Sequence, residues 1–375
     1  MSYADALARV IDDVVAPGAT EVDALGAFPG RQIEALAAAG LLALTVPEEF
    51  GGGGQGLRAA AHVVGELGAV CGSTAMIVTM HYSATAALAA GGMTDALTAI
   101  ASGPHLSSLA FSEVGSRSHF WAALGTAQPD GDDVRLDARK SWVTSAGHAD
   151  SYVWSSRTLH ADAPMTLWLV PGDAAGLAVA AAFDGLGLRG NASAPMTADG
   201  VRVPPAAMIG TDGAGLDLAL AAVLPVFLVC SAAMSAGLMR RLAEETAAHL
   251  QRSRLEHLGQ TLAQQVQPRA QLARLHIEAD QTRALLDDTI SAVEQGRADA
   301  QLLVLEIKAA AGEAAADAAD LALRTCGGAA FRKESVVERL FRDSRAARVM
   351  APTTDALYDF VGRALCGLPL LGAAA

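Results

Sequence analysis

The chain has 375 residues, and at about 150 residues per domain that length predicts two or three domains. Its 27 Lys and Arg against 40 Asp and Glu leave a formal charge of −13. Nucleic-acid and anionic-membrane binding, which need a basic face, are thereby disfavoured. With 52% hydrophobic and 18% charged residues the chain can bury a large core, and disorder is excluded as a global description. Aromatics are only 5%, so Ala, Val and Leu must fill that core.

Tyr3 to Val15 repeats apolar residues at helical spacing. The same stretch carries acids and lacks a long apolar run, so it does not read as a secretory signal. Pro29 to Ala39 predicts a second helix, stopped at Gly40. A Gly-rich loop follows from Val46 to Gly54, then helices from Leu57 to Val70 and from Thr74 to Ala89, the latter carrying His81. From Leu106 to Met208 the texture changes to short alternating runs broken by Gly, Asp and Pro. Strands are expected at Val134–Ala138, Ser151–Ser156, Thr166–Val170 and Leu177–Ala180. All four tryptophans (Trp121, Trp142, Trp154 and Trp168) fall in this stretch.

Beyond Gly215 the pattern is helical again to Leu365, with long periodic runs at Glu244–Gln251, Ala270–Gln295 and Ala298–Arg324. Leu218 to Met239 carries no charge and is long enough to span a bilayer. Pro225, Ser231 and Ser235 interrupt it and no second such run exists, so it reads as a buried core helix. The tail from Gly372 is expected to fray. The domains expected are 1–107, helical; 108–214, β; and 215–375, helical, giving an α+β fold. Cys71, Cys230, Cys326 and Cys366 show no paired spacing and read as reduced thiols of a cytoplasmic protein. No metal-ligand spacing appears.

Several local strings, collinear from about residue 30 to residue 365, resemble the acyl-CoA dehydrogenase superfamily. They are Val46-Pro-Glu-Glu-Phe-Gly-Gly, Phe111-Ser-Glu-Val-Gly-Ser-Arg-Ser118 and Lys140-Ser-Trp-Val-Thr-Ser-Ala-Gly-His-Ala-Asp150. Further on come Gly187-Leu-Arg-Gly-Asn-Ala-Ser193, Val201-Arg-Val-Pro204, Cys326-Gly-Gly328 and Val337-Glu-Arg-Leu-Phe-Arg-Asp343. The resemblance implies an N-terminal helical domain, a middle β-barrel or sandwich, and a C-terminal four-helix bundle. It also implies FAD as cofactor and a homotetramer built as a dimer of dimers through the C-terminal helices.

By the same resemblance, Ser112 and the backbone after it face the flavin pyrimidine. Trp142 lies beside the ring, Thr144 near N5 or O4, and Ser118 near the phosphates or the substrate head. On its own, Trp142 would read as a sheet-core residue and Thr144 as an ordinary strand residue. The family's pyrophosphate-binding Arg is Leu255 here, with Arg252 and Arg254 within a turn of it. Arg324 stands where the family has Gln, before Gly327 and Gly328, and could restore a phosphate-binding charge. Thr353 is expected to touch the cofactor.

The catalytic base is where the resemblance fails. The family's usual Glu is Ala351, followed by Pro352 where Gly is usual. Its alternative location, Val226 to Cys230, holds no acid. Oxygen-using flavin chemistry on a small organic acid or a CoA thioester is therefore favoured, with a flavin reductase as partner. His81, His119 and His148 are its candidate acid–base groups, His119 foremost because it replaces a family Asp. The alternatives are α,β-desaturation by a base in an unusual place, coupled to an electron-transfer flavoprotein, and a redox-silent thioester-binding homologue. Glu113 is a poor base candidate because the family uses that residue for structure.

Overall fold

The computed structural model describes residues 2–117 and 119–371. Ser118 and the tail from Gly372 lie outside them, so the expectations for those residues stay as expectations. The chain divides into two compact units, one of residues 1–63, 73–185 and 189–227, the other of 64–72, 186–188 and 228–375.

In the first unit Ser2 opens α1 (Tyr3–Val10) with a reciprocal cap, its hydroxyl accepting from the Asp5 amide and its amide donating to the Asp5 carboxylate. A π-helical turn (Ile11–Val15) leads into α2 (Ala16–Leu25), which ends at left-handed Gly26. Next come α3 (Gly30–Ala38), α4 (Leu57–Gly68), α5 (Gly72–Ala90) and α6 (Thr94–Ser102). Helix α5 is apolar all round and almost wholly buried, as a central core helix must be. Its polar residues are satisfied locally: Thr79, Ser83 and Thr85 donate to the carbonyl four residues back. Tyr82 donates its hydroxyl to the Leu41 carbonyl at 2.6 Å.

Eight strands follow: β1 (Ser107–Ala110), β2 (Thr126–Asp130), β3 (Asp133–Val143), β4 (Ser151–Ser156), β5 (Thr166–Pro171), β6 (Leu177–Val179), β7 (Ala194–Val203) and β8 (Met208–Ile209). They form two four-stranded sheets, β1-β4-β5-β8 and β2-β3-β7-β6. The β1–β4 pair is parallel and the other pairs are antiparallel. Two sheets rather than one closed barrel resolve the sandwich-or-barrel expectation. The expected strands are all present, whereas β1, β2, β7 and β8 carry no expectation. Val153, Leu167 and Ile209 from the first sheet pack with Val46, Leu88, Leu97 and Ile100 in one apolar core.

A short helix α7 (Gly215–Leu218) and a π-helical turn (Ala219–Val223) run into α8 (Leu224–Arg252). The most apolar window of this helical run is 61% buried, the pattern of a core helix. A two-stranded hairpin, β9 (Arg254–Leu255) with β10 (Gln260–Thr261), precedes α9 (Val266–Glu294) and α10 (Ala300–Cys326). Then come α11 (Val336–Ser344), α12 (Ala346–Val349) and α13 (Thr354–Leu365). In the second unit α10 is the hub, packing against α9, α11, α12 and α13. Half of its buried residues are alanine, which lets neighbouring helices approach closely. Leu238, Met239 and Leu242 of α8 close the core over Leu275, Ala315, Ala319 and Leu340. Where residues 64–72 cross α8, a Cβ on Gly237 would collide with the Gly65 carbonyl.

Candidate functional site

Strand β3 breaks its pairing with β7 between Lys140 and Val143. At that irregularity Trp142 takes φ +58° and stands 70% exposed, contrary to the expectation for a sheet tryptophan. A bulky residue at positive φ is strained, and such strain gathers at functional sites. The loop after β1 is strapped to this edge: Ser141 donates its amide to the Ser112 carbonyl at 2.9 Å, and Val114 to Arg139 at 3.1 Å. Ser112 is thus placed beside Trp142, and its hydroxyl makes no hydrogen bond among the described residues.

Beneath the loop lies a buried ion pair. Lys140 Nζ meets Glu113 Oε1 at 2.6 Å and also donates to the Ser155 carbonyl and hydroxyl at 2.7 and 2.8 Å. All three ammonium protons are used. The other Glu113 oxygen accepts from the Leu124 and Gly125 amides at 3.1 and 2.7 Å. Burial pulls Lys140 down to about 8, opposed by the adjacent carboxylate. Both Glu113 oxygens are thus engaged in holding the loop.

Behind Trp142, Thr144 Oγ1 shares a hydrogen bond with Ser193 Oγ at 2.9 Å, while Ser108 donates to the Thr144 carbonyl at 2.7 Å. Ser145 and Ala146 donate their amides to the Asn191 and Ala192 carbonyls, binding segment 191–193 to the corner. Ser145 and Ala192 both take positive φ. The Ser145 hydroxyl is buried without a partner. The corner therefore combines an exposed indole, a hydroxyl rim of Ser112, Thr144 and Ser193, and one orphaned donor. An isoalloxazine, apolar on its faces and polar along one edge, fits that set.

The histidines separate by geometry. His81 is fully buried; its Nδ1 accepts from the Ser107 amide at 3.1 Å, so Nε2 carries the proton and donates to the Leu42 carbonyl at 2.9 Å. Burial holds it at about 4. With both nitrogens engaged it joins α5 to the chain around it. His148 stacks flat on Phe28 at 4.0 Å, and burial lowers its pKa. His119 is exposed and stacks on Trp121 at 4.7 Å.

In the second unit the expected residues sit on separate elements. Arg254, in β9, donates to the Gly259 carbonyl within its own hairpin. Arg324 is exposed on the last turn of α10, followed by Gly327 at φ +63° and by Gly328. Thr353 caps α13, accepting from the Ala356 amide at 3.3 Å. Ala351 and Pro352 lie just before it, in a loop whose carbonyls are gripped by Lys308 of α10. The residues 226–230 are half-buried to buried, and burial pushes the Cys230 thiol up to about 12. Sequence reasoning missed Lys308, Ser145 and the pairing role of Ser193. The available signal for Lys308 was a lone lysine inside an alanine-rich apolar helix.

Models of the acyl-CoA dehydrogenase N-terminal, middle and C-terminal domains match residues 2–98, 108–201 and 213–366. The chain belongs to the acyl-CoA dehydrogenase family. It is similar to the probable acyl-CoA dehydrogenase YngJ of Bacillus subtilis, 26% identical over 363 residues, covering 94% of this chain and 93% of the relative. The human mitochondrial short-chain specific acyl-CoA dehydrogenase is 28% identical, over 90% of this chain and 83% of its own. Among solved structures, FkbI, for biosynthesis of the methoxymalonyl extender unit of Fk520, superposes with TM-score 0.86 at 26% identity, covering 97% of this chain and 99% of that one.

Proposed function

We propose that this protein is an FAD-dependent oxidoreductase that oxidises an activated acyl thioester without a carboxylate base. The observation that carries the reading is Ala351-Pro352 at the family's base position, together with an acid-free stretch at 226–230. A methyl group cannot take a proton, so the substrate must release one readily by itself. An α-hydroxyl or an α-amine meets that need. The α-carbon then gives up a hydride, a proton leaves from the attached O or N to water, and a C=O or C=N double bond forms. FAD, when bound, supplies the two-electron acceptor. Trp142 would cover one face of its ring, while Ser112 and the Thr144–Ser193 pair would meet the polar edge. By the family resemblance, Arg324 and Arg254, with Gly327 and Gly328, would serve the pyrophosphate of a neighbouring subunit's FAD, and Thr353 would touch the cofactor. Electrons would pass to an electron-transfer flavoprotein, and the working form would be a cytoplasmic homotetramer.

The second reading, oxygen-using chemistry after reduction by a flavin reductase, rests on the same missing base and needs no proton abstraction at all. Relatives carrying dehydrogenase names favour the first. The test is an anaerobic titration of the FAD-reconstituted protein with thioesters, followed by external reduction in air. Bleaching by an activated thioester alone supports the first reading. No bleaching, but rapid oxygen consumption with substrate turnover after external reduction, replaces it with the second. Failure to retain FAD overturns both.

A further inference from the structure

Lys308 lies within α10, 1% exposed, among alanines. Its Nζ donates to the carbonyls of Ala347 at 2.8 Å, Met350 at 3.0 Å and Pro352 at 2.7 Å. An ammonium has three protons, and three acceptors from one short segment meet them. That segment runs from within α12 to the start of α13 and surrounds Ala351. Carbonyls at the end of a short helix and in the loop after it need a donor from elsewhere, and Lys308 supplies it. Salt links reinforce the attachment: Arg348 meets Glu313 at 2.7 Å and Asp317 at 2.9 Å, and Arg345 meets Asp320 at 3.7 Å. Packing alone would be served by Met or Leu at this place, without the cost of burying a charge.

We propose that Lys308 is a positioning residue: it fixes the backbone of residues 347–353 from within α10, so that backbone, not a carboxylate, sets the wall presented at position 351. This rests on the reading that position 351 faces the substrate. Burial pulls Lys308 down to about 7, so the clamp is charged at pH 6.

The experiment is hydrogen exchange at pH 6 on the FAD-reconstituted protein and on Lys308→Ala and Lys308→Met. Peptides covering 346–357 should exchange about tenfold faster in both variants, the effect of losing charge-assisted bonds to buried carbonyls, while those of α9 change little. Ethylammonium should restore protection to Lys308→Ala, and sodium at equal ionic strength should not. Equal acceleration in α9, no acceleration at 346–357, or rescue by sodium would each overturn the assignment. Exchange is read without substrate, so failure of the thioester titration and failure of the clamp are separate results.

Discussion

At the scale of single residues, the site rests on side chains placed against their ordinary preference. Trp142 exposes a large apolar ring and pays in backbone strain at φ +58°. Trp142→Gly should therefore keep the folding stability or raise it by up to about 1 kcal/mol. The same variant should bind FAD about tenfold or more weakly, because the ring loses its aromatic cover. Calorimetric unfolding and flavin fluorescence titration check the two halves separately. Lys140 is the opposite case, a charge kept inside by a complete set of partners. Lys140→Met leaves Glu113 buried and unpaired, and should cost about 3–5 kcal/mol in urea unfolding. A loss below about 1 kcal/mol would show that the ion pair does not hold the loop.

At the scale of elements, how much was legible depended on how each element earns its burial. Strand β4 and helix α5 were readable because each carries a mostly apolar stretch, Tyr152–Trp154 and Ala75–Ala90, bounded by turn signals. Strand β1 was not, because Ser107 and Ser108 are buried through hydrogen bonds that only distant partners supply. Strand β2 hides behind Pro129, tolerated at a sheet edge, and β7 behind Pro195 and Gly200. The site was legible as strings of residues, yet Trp142 was exposed by a break in strand pairing that no periodicity encodes. His81 was ambiguous because its two partners, Leu42 and Ser107, are far away in sequence.

A loop shows the same dependence on distant partners. The Asp212 carboxylate accepts from the amides of Leu159, His160 and Ala161 and from the Thr166 hydroxyl. Burial pushes its pKa up, but these four bonds outweigh it and hold it at about 2 against a usual 3.8. Its folded value is depressed, so its contribution is complete above pH 4 and is lost as pH falls through 2. Asp212→Asn should lower the urea midpoint at pH 6, and the gap from the parent protein should narrow as the pH falls below 4. A gap of constant size down to pH 2.5 would mean that ionisation of Asp212 is not what holds residues 158–166.

At the scale of the whole molecule, the chain keeps its family's three-part order, and the proposed function turns on Ala351 standing at the position read as the family's base. The loop at 347–353 is firmly built although it carries no acid, which argues for a changed substrate rather than a decayed site. The most direct measurement is stopped-flow anaerobic reduction of the FAD-reconstituted protein by two thioesters of equal chain length. One is plain butyryl-CoA and the other its α-hydroxy or α-amino counterpart. The account predicts bleaching of the oxidised flavin band by the activated thioester and none by butyryl-CoA over the same time. Rapid bleaching by butyryl-CoA would contradict it, because a plain α-carbon proton cannot leave without a base.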